Sequence, residues 1–146
     1  MKISKHFSES EFAKSSTAEK YGIDNSIPDD VRDNIQALCD NVLEGIREQF
    51  GRVRISSGYR CLELNRKLGS KDTSQHVKGE AADIQFVDYD IEDAFNIIRS
   101  KYEFDQAIFE EKASGTKWIH ISWSTDNRNE ALLAHQVNGK MVYSRV

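Results

Sequence analysis

The longest regular pattern in this chain of 146 residues is one apolar stripe between positions 31 and 50. Its apolar residues recur at steps of three and four, which is the period of a helix with one buried face. Pro28, followed by Asp29 and Asp30, predicts the start of this helix, and Gly51 predicts its end. The stripe consists of Val31, Ile35, Leu38, Val42, Ile46 and Phe50. A helix of this length needs a partner surface to bury its apolar face.

Shorter helices are predicted on both sides of the long one. Ser8 and Glu11 have the spacing of a capping box, and Phe7 can pack on Phe12 as a hydrophobic staple. Residues 17–22 and 61–68 are predicted as short helices that stop at glycines, and Asp90 is predicted to cap a further helix.

The remaining regular segments have strand patterns. The strands are predicted at 53–57, 81–87, 104–110, 117–123, 131–137 and 140–145, with residues 70–80 as a polar loop. The last two strands are joined by Asn138-Gly139, the strongest short signal for a hairpin turn. Helices first and hairpin-linked strands later favour an α+β fold, with N-terminal helices on a mainly antiparallel sheet and a C-terminal hairpin.

Composition narrows the possible functions. The chain is 38% hydrophobic and contains one proline, which predicts a single domain over residues 1–146 with no internal linker. Its net charge of −4 gives no reason to expect binding to nucleic acid or to an acidic membrane. Cys39 and Cys61 are too few for a disulfide framework, and Cys39 falls on the buried helix stripe as a structural thiol.

The first residues lack the continuous apolar stretch of a secretory leader, and no segment has the length of a membrane span. We therefore expect a protein that is cytoplasmic as synthesised. A monomer is the default expectation for its oligomeric state.

Two of the four histidines stand in distinctive segments. His76 precedes Asp83 by seven positions, with small residues between them that allow the backbone to turn. Alternation along a strand places His120 on one face with Trp118 and Ser122. Two imidazoles and one carboxylate suit zinc, and three protein ligands leave a fourth position for water, as in catalytic sites. His76, Asp83 and His120 are the predicted ligands, whereas the contexts of His6 and His135 predict surface positions.

These motifs occur together in a recognisable order. The chain resembles the zinc D-alanyl-D-alanine carboxypeptidase family, and most closely its compact, often phage-encoded members, whose fold is hedgehog-like. The likeness runs from about residue 7 to about residue 129 and leaves the final hairpin outside it. It is carried by Ser56-Ser57-Gly58-Tyr59-Arg60 with Leu64-Asn65, then Ser74-x-His76-x-x-Gly79-x-Ala81-x-Asp83, then Phe104-Asp105-Gln106 through Glu110, and then Trp118-x-His120-x-Ser122.

The resemblance implies roles for residues around the metal. A peptidase needs a base for the attacking water, and many relatives carry an acid two or three residues before the second histidine. Lys117 and Trp118 hold those positions here, so Glu110 on the preceding strand is assigned as the base, with Glu111 as the alternative on the opposite face. Arg60 is assigned to binding a substrate carboxylate in two-pronged fashion. Ser74 and Gln75 are assigned as further substrate contacts at the edge of the pocket.

The implied function is hydrolysis of a peptide bond in the stem peptide of bacterial peptidoglycan. The bond is either the terminal D-Ala-D-Ala linkage or an internal one such as L-Ala-D-Glu, and lysis, virion entry and precursor trimming all remain open as roles. We expect the protein to act on the cell wall after release or as part of a virion. A non-catalytic module on the same fold, such as a phage structural component that binds zinc or cell wall, is the alternative. A zinc amidase fits the substrate but not the spacing of the motif.

Overall fold

The computed structural model describes residues 1–146. Seven α-helices are present: α1 (Glu9–Ala13), α2 (Ser16–Tyr21), α3 (Asp29–Leu38), α4 (Glu44–Phe50), α5 (Leu62–Lys67), α6 (Gln75–Lys78) and α7 (Ile91–Lys101). Six strands are present: β1 (Val53–Ser57), β2 (Ala81–Phe86), β3 (Gln106–Glu111), β4 (Lys117–Ser122), β5 (Glu130–Val137) and β6 (Lys140–Arg145). The predicted α+β class and the C-terminal hairpin are confirmed. None of the helices is long and apolar enough to cross a membrane.

The long predicted helix is interrupted by one wider turn. Helices α3 and α4 are joined through a π-helical turn at Cys39–Leu43, and Pro28 lies one position before the first helical residue. The apolar stripe explains the turn, because its last steps are all of four residues. An α-helix has 3.6 residues per turn, so repeated steps of four drift round its surface. The wider turn returns Val42 and Ile46 to the buried face, where both are fully enclosed.

The strands form one sheet in the order β1-β2-β4-β3-β5-β6. Every neighbouring pair is antiparallel except β3 and β5, which run parallel. The hairpin of β5 and β6 therefore extends the sheet beyond β3. Asn138 and Gly139 both have positive φ, as the tight turn between these strands requires.

Helices α3, α4 and α7 and the core lie on one face of the sheet. Strand alternation turns Ile84, Phe109, Ile119 and Ile121 towards the helices, where they join the main hydrophobic cluster. Phe7 and Phe12 belong to the same cluster and pack edge to face with ring centroids 6.4 Å apart, as predicted for the staple. The opposite face carries the polar members of the same strands and is the floor of a cleft.

Two predicted boundaries were wrong. Residues 70–80 are not simply a loop, because they contain α6, a single turn of four residues that is too short for any apolar period. Strand β3 begins at Gln106 rather than at residue 104, because Phe104 and Asp105 are tied to the segment before β5 through Asn129 and Arg128.

Candidate metal centre and its cleft

A cleft of about 1350 Å³ lies on the face of the sheet opposite α3, α4 and α7, with α6 at its edge. Its lining includes one histidine from α6, one aspartate from β2 and one histidine from β4, namely His76, Asp83 and His120. Their ligand atoms all lie within 4.8 Å of one another. The structure thus brings together the three residues that the sequence predicted as metal ligands.

His76 is held by bonds to both its backbone and its ring. The Ser74 hydroxyl accepts the His76 backbone N–H at 3.3 Å and caps α6, and the His76 carbonyl accepts the Arg60 N–H at 3.1 Å. The ring atom Nδ1 lies 2.7 Å from the carbonyl oxygen of Gly58. A carbonyl can only accept, so Nδ1 carries the proton and Nε2 keeps its lone pair. Nε2 is the atom that faces the cluster.

Two glycines allow the backbone around His76 to pack closely on α3 and α1. Gly79 ends α6 with φ +74°, and an added Cβ would lie 2.6 Å from Val31 Cγ1 on α3. At Gly58, a Cβ would lie 2.8 Å from the backbone of Phe12. The spacing of small residues after His76 therefore reflects close packing of α6 on α3.

Asp83 and His120 are set by the register of the sheet. They are directly paired across β2 and β4, so their side chains emerge side by side on the cleft face. Asp83 Oδ1 lies 3.2 Å from His120 Nδ1 and 3.4 Å from His76 Nε2. The pKa of the Asp83 carboxyl lies below its usual range although burial disfavours its charged form, so the side chain is a carboxylate.

The donor set fits zinc. Two atoms bound to one tetrahedral zinc at about 2.1 Å are separated by about 3.4 Å, which agrees with both distances from Asp83 Oδ1. Burial lowers the pKa of His76, which keeps its imidazole neutral. The lone pair of His76 Nε2 and the Asp83 carboxylate therefore face each other across a gap that a cation would bridge.

Glu110 lies in the cleft, one strand away from His120. It is paired with Trp118 across β3 and β4, whereas Glu111 points to the other face of the sheet, beside Phe95 of α7. Burial first, and the charge of Asp83 second, raise the pKa of Glu110 to about 7. His120, and after it the neighbouring Trp118 indole N–H, act in the opposite direction and favour ionised Glu110.

Arg60 borders the cluster, but much of its guanidinium is engaged within the protein. Nε donates to Ser57 at 3.1 Å, and Nη1 donates to Ser70 at 3.1 Å and to Asn65 at 3.4 Å. Nη2 lies 3.6 Å from Asp83 Oδ2, beyond hydrogen-bond distance. Nη2 is the part of Arg60 that remains free to bind a substrate.

The predicted edge residues have structural partners. Ser74 caps α6, and the Gln75 amide donates to Asp105 Oδ2 at 2.9 Å. Asp105 is buried and also receives Nε and Nη2 of Arg128 at 2.9 and 2.8 Å, which lowers its pKa. This network ties the helix of His76 to the start of β3. Sequence reasoning noticed Asp105 only as part of a motif.

The predictions for the remaining histidines and for Cys39 were confirmed in part. His135 is exposed, as expected, and Cys39 is fully buried. His6 is not a free surface residue, because its half-buried ring lies 2.6 Å from Glu44 Oε1.

The hairpin also reaches the cleft, which the sequence did not indicate. Leu132, Gln136, Met141 and Tyr143 of β5 and β6 belong to its lining. Alternation within the hairpin could have shown which residues share a face, but not that this face continues the floor of the cleft, since that depends on the parallel pairing with β3.

An α+β domain with two histidines and one aspartate converging in an open cleft defines a candidate mononuclear metal site of the catalytic type. The sequence profile of the Peptidase M15 family matches residues 5–122. The chain belongs to the Peptidase M15 family, which implies a peptidase, and members of that family are zinc-dependent. Among curated proteins, none matches the chain.

Proposed function

We propose that this protein is a zinc metallopeptidase that hydrolyses a peptide bond in the stem peptide of bacterial peptidoglycan. The observation that carries the proposal is the 3.4 Å approach of His76 Nε2 to Asp83 Oδ1, with His120 Nδ1 at 3.2 Å from the same oxygen. These three groups would hold zinc. When bound, zinc supplies Lewis-acid chemistry, which acidifies a water molecule and polarises a carbonyl group.

Glu110 is proposed as the general base and acid. Its carboxylate, one strand from His120, takes a proton from the attacking water and returns it to the leaving amine. A pKa near 7 suits both steps, because the group can accept and release a proton at neutral pH. Lys117 cannot replace it, since its ammonium is tied to Glu92 at the surface.

Arg60 is proposed to bind the substrate through Nη2. Its other bonds to Ser57 and Ser70 fix the plane of the guanidinium, so the remaining group is preorganised towards Asp83 and the cluster. A carboxylate next to the cut bond, or the carbonyl oxygen of the bond itself, is a suitable partner. Ser74 and Gln75 contribute mainly by holding α6 and thereby His76.

The substrate class rests on the resemblance together with the shape of the cleft. Its volume of about 1350 Å³ exceeds the range of about 300–1,000 Å³ that is usual for small-molecule pockets. An extended peptide therefore fits the cleft better than an isolated residue, whether the internal L-Ala-D-Glu bond or the terminal D-Ala-D-Ala bond of that peptide is cut. Release of a lytic phage enzyme onto the cell wall is a fitting context.

Mass spectrometry of the fragments from a defined muropeptide tests activity and identifies the bond together. We expect zinc-loaded protein to release fragments with the mass of one hydrolysed amide bond, and Glu110→Gln to release none. Intact muropeptide after incubation with zinc-loaded protein would contradict the proposal and favour a non-catalytic binding module.

A further inference from the structure

The C-terminal hairpin, outside the residues that match the family, forms the outer part of the cleft floor. Glu110 of β3 is paired with Ala134 of β5, and Ala134 is paired with Tyr143 of β6. Directly paired residues project on the same side of a sheet. Glu110, Ala134 and Tyr143 therefore form one row across three strands, on the cleft face.

Tyr143 has the features of a contact residue. The side chain of Tyr143 is 54% exposed and can therefore contact a ligand. Its neighbour in the row, Ala134, is only 3% exposed and is covered by other atoms. Partial burial raises the pKa of the Tyr143 phenol, and the charges of Glu110 and Asp83 raise it further, so the ring lies within the electric field of the site. Leu132 and Met141 extend the same surface with apolar side chains.

Distance determines which substrates can use this surface. Strand β6 lies three strand spacings from β4, which carries His120, and this corresponds to about 14 Å. A dipeptide spans about 7 Å and a pentapeptide about 17 Å when extended. A dipeptide bound at the metal cluster therefore ends short of the hairpin, whereas a longer peptide reaches it.

We propose that the hairpin, chiefly through the ring of Tyr143, is a binding subsite for the part of a stem peptide several residues away from the bond that is cut. The subsite packs the aliphatic portions of an extended peptide against Tyr143, Leu132 and Met141, and it selects long peptides over dipeptides. This inference rests on the proposed function for the identity of its ligand. It adds a specificity determinant that lies outside the metal cluster.

The test measures binding and cleavage separately. Calorimetry gives the dissociation constant of a synthetic stem pentapeptide for zinc-loaded Glu110→Gln protein, with and without Tyr143→Ala. We expect Tyr143→Ala to weaken binding about tenfold, and Tyr143→Phe, which keeps the ring, to restore it. In protein that keeps Glu110, Tyr143→Ala is expected to raise KM for the pentapeptide about tenfold while kcat stays within about threefold. For the free dipeptide that contains the cut bond, the effect of Tyr143→Ala on KM should be smaller by about tenfold.

Tyr21→Ala is the matched control, because Tyr21 is 51% exposed and lies outside the cleft. Thermal unfolding of each variant establishes that it is folded, and Tyr143→Gln repeats the measurement if Tyr143→Ala is not. Equal pentapeptide binding with and without Tyr143 would overturn the subsite. Tyr143-dependent binding by a wild-type protein that cleaves nothing would support the subsite and overturn the proposed hydrolysis. No pentapeptide binding by any of the proteins would overturn both.

Discussion

His76 Nε2 and Asp83 Oδ1 lie 3.4 Å apart, and the only ring proton of neutral His76 is donated away from Asp83 to the Gly58 carbonyl. A lone pair and a carboxylate oxygen at this distance repel each other unless a positive charge lies between them. A cation bound to both atoms removes the repulsion, which makes this pair the strongest physical argument for a metal in the cleft.

Removing the charge of Asp83 is predicted to abolish tight zinc binding. Asp83→Asn keeps the size and shape of the side chain but replaces the anionic ligand with a neutral amide, so we expect affinity to fall at least about 100-fold. Competition with a chromophoric chelator measures the change. Asp126→Asn, at an exposed position, is the control. Unchanged affinity in Asp83→Asn would remove this residue from the ligand set.

Removing the charge of Glu110 is predicted to affect the reaction and not the metal. Glu110→Gln cannot accept a proton, and we expect kcat to fall about 10²–10⁴-fold while the zinc content is retained. Glu111→Gln is the matched control, because it is the next residue on β3 and points to the other face. Steady-state kinetics on a defined muropeptide compares them. A larger loss in Glu111→Gln would move the base to that residue.

Glu110 is also predicted to make the metal-free protein less stable at high pH. Its pKa is about 7 in the fold and near its ordinary 4.5 when unfolded. Between these values the folded state keeps a proton that the unfolded state has lost, so the free energy of unfolding falls as pH rises and levels off above pH 7.

In the metal-free protein we therefore expect Glu110→Gln to be stabilising at pH 8 by at most about 3 kcal/mol and nearly neutral at pH 4.5. Urea unfolding in the presence of a chelator measures both. A difference between the two proteins that does not depend on pH would show that the Glu110 pKa is unshifted.

The packing of α6 on α3 is predicted to depend on Gly79. Gly79→Ala adds a methyl group against Val31 at a backbone φ of +74°, and we expect a loss of about 2–4 kcal/mol in the free energy of unfolding. Gly69→Ala is the control, because its φ is +80° but nothing lies within 4 Å of the added carbon. That change should cost only about 1–2 kcal/mol of backbone strain. Equal losses in urea unfolding would contradict the packing of α6 on α3.

The sequence revealed the parts of this fold that local chemistry determines. Pro28, Gly51 and Asn138-Gly139 correctly marked ends and turns, because such residues restrict the backbone wherever they occur. Helix α6 was missed, since four residues cannot display a helical period. The approach of Gly79 to α3 explains why its segment needs small residues.

Features that depend on the tertiary arrangement could not be read from the sequence. The parallel pairing of β3 with β5 places the hairpin beside Glu110, and nothing local to either strand specifies it. Arg60 was assigned to the substrate as a whole, but Ser57, Asn65 and Ser70 engage most of its donors once the loops are folded. The network of Asp105, Arg128 and Gln75 was missed for the same reason.

The zinc content of the purified protein tests the central claim most directly. Elemental analysis after incubation with zinc and removal of the excess should give about one zinc per chain for the wild-type protein, as a single three-ligand site requires. The double variant His76→Ala, His120→Ala should give none. Wild-type protein without bound zinc, or equal zinc in both proteins, would contradict a metal centre at His76, Asp83 and His120.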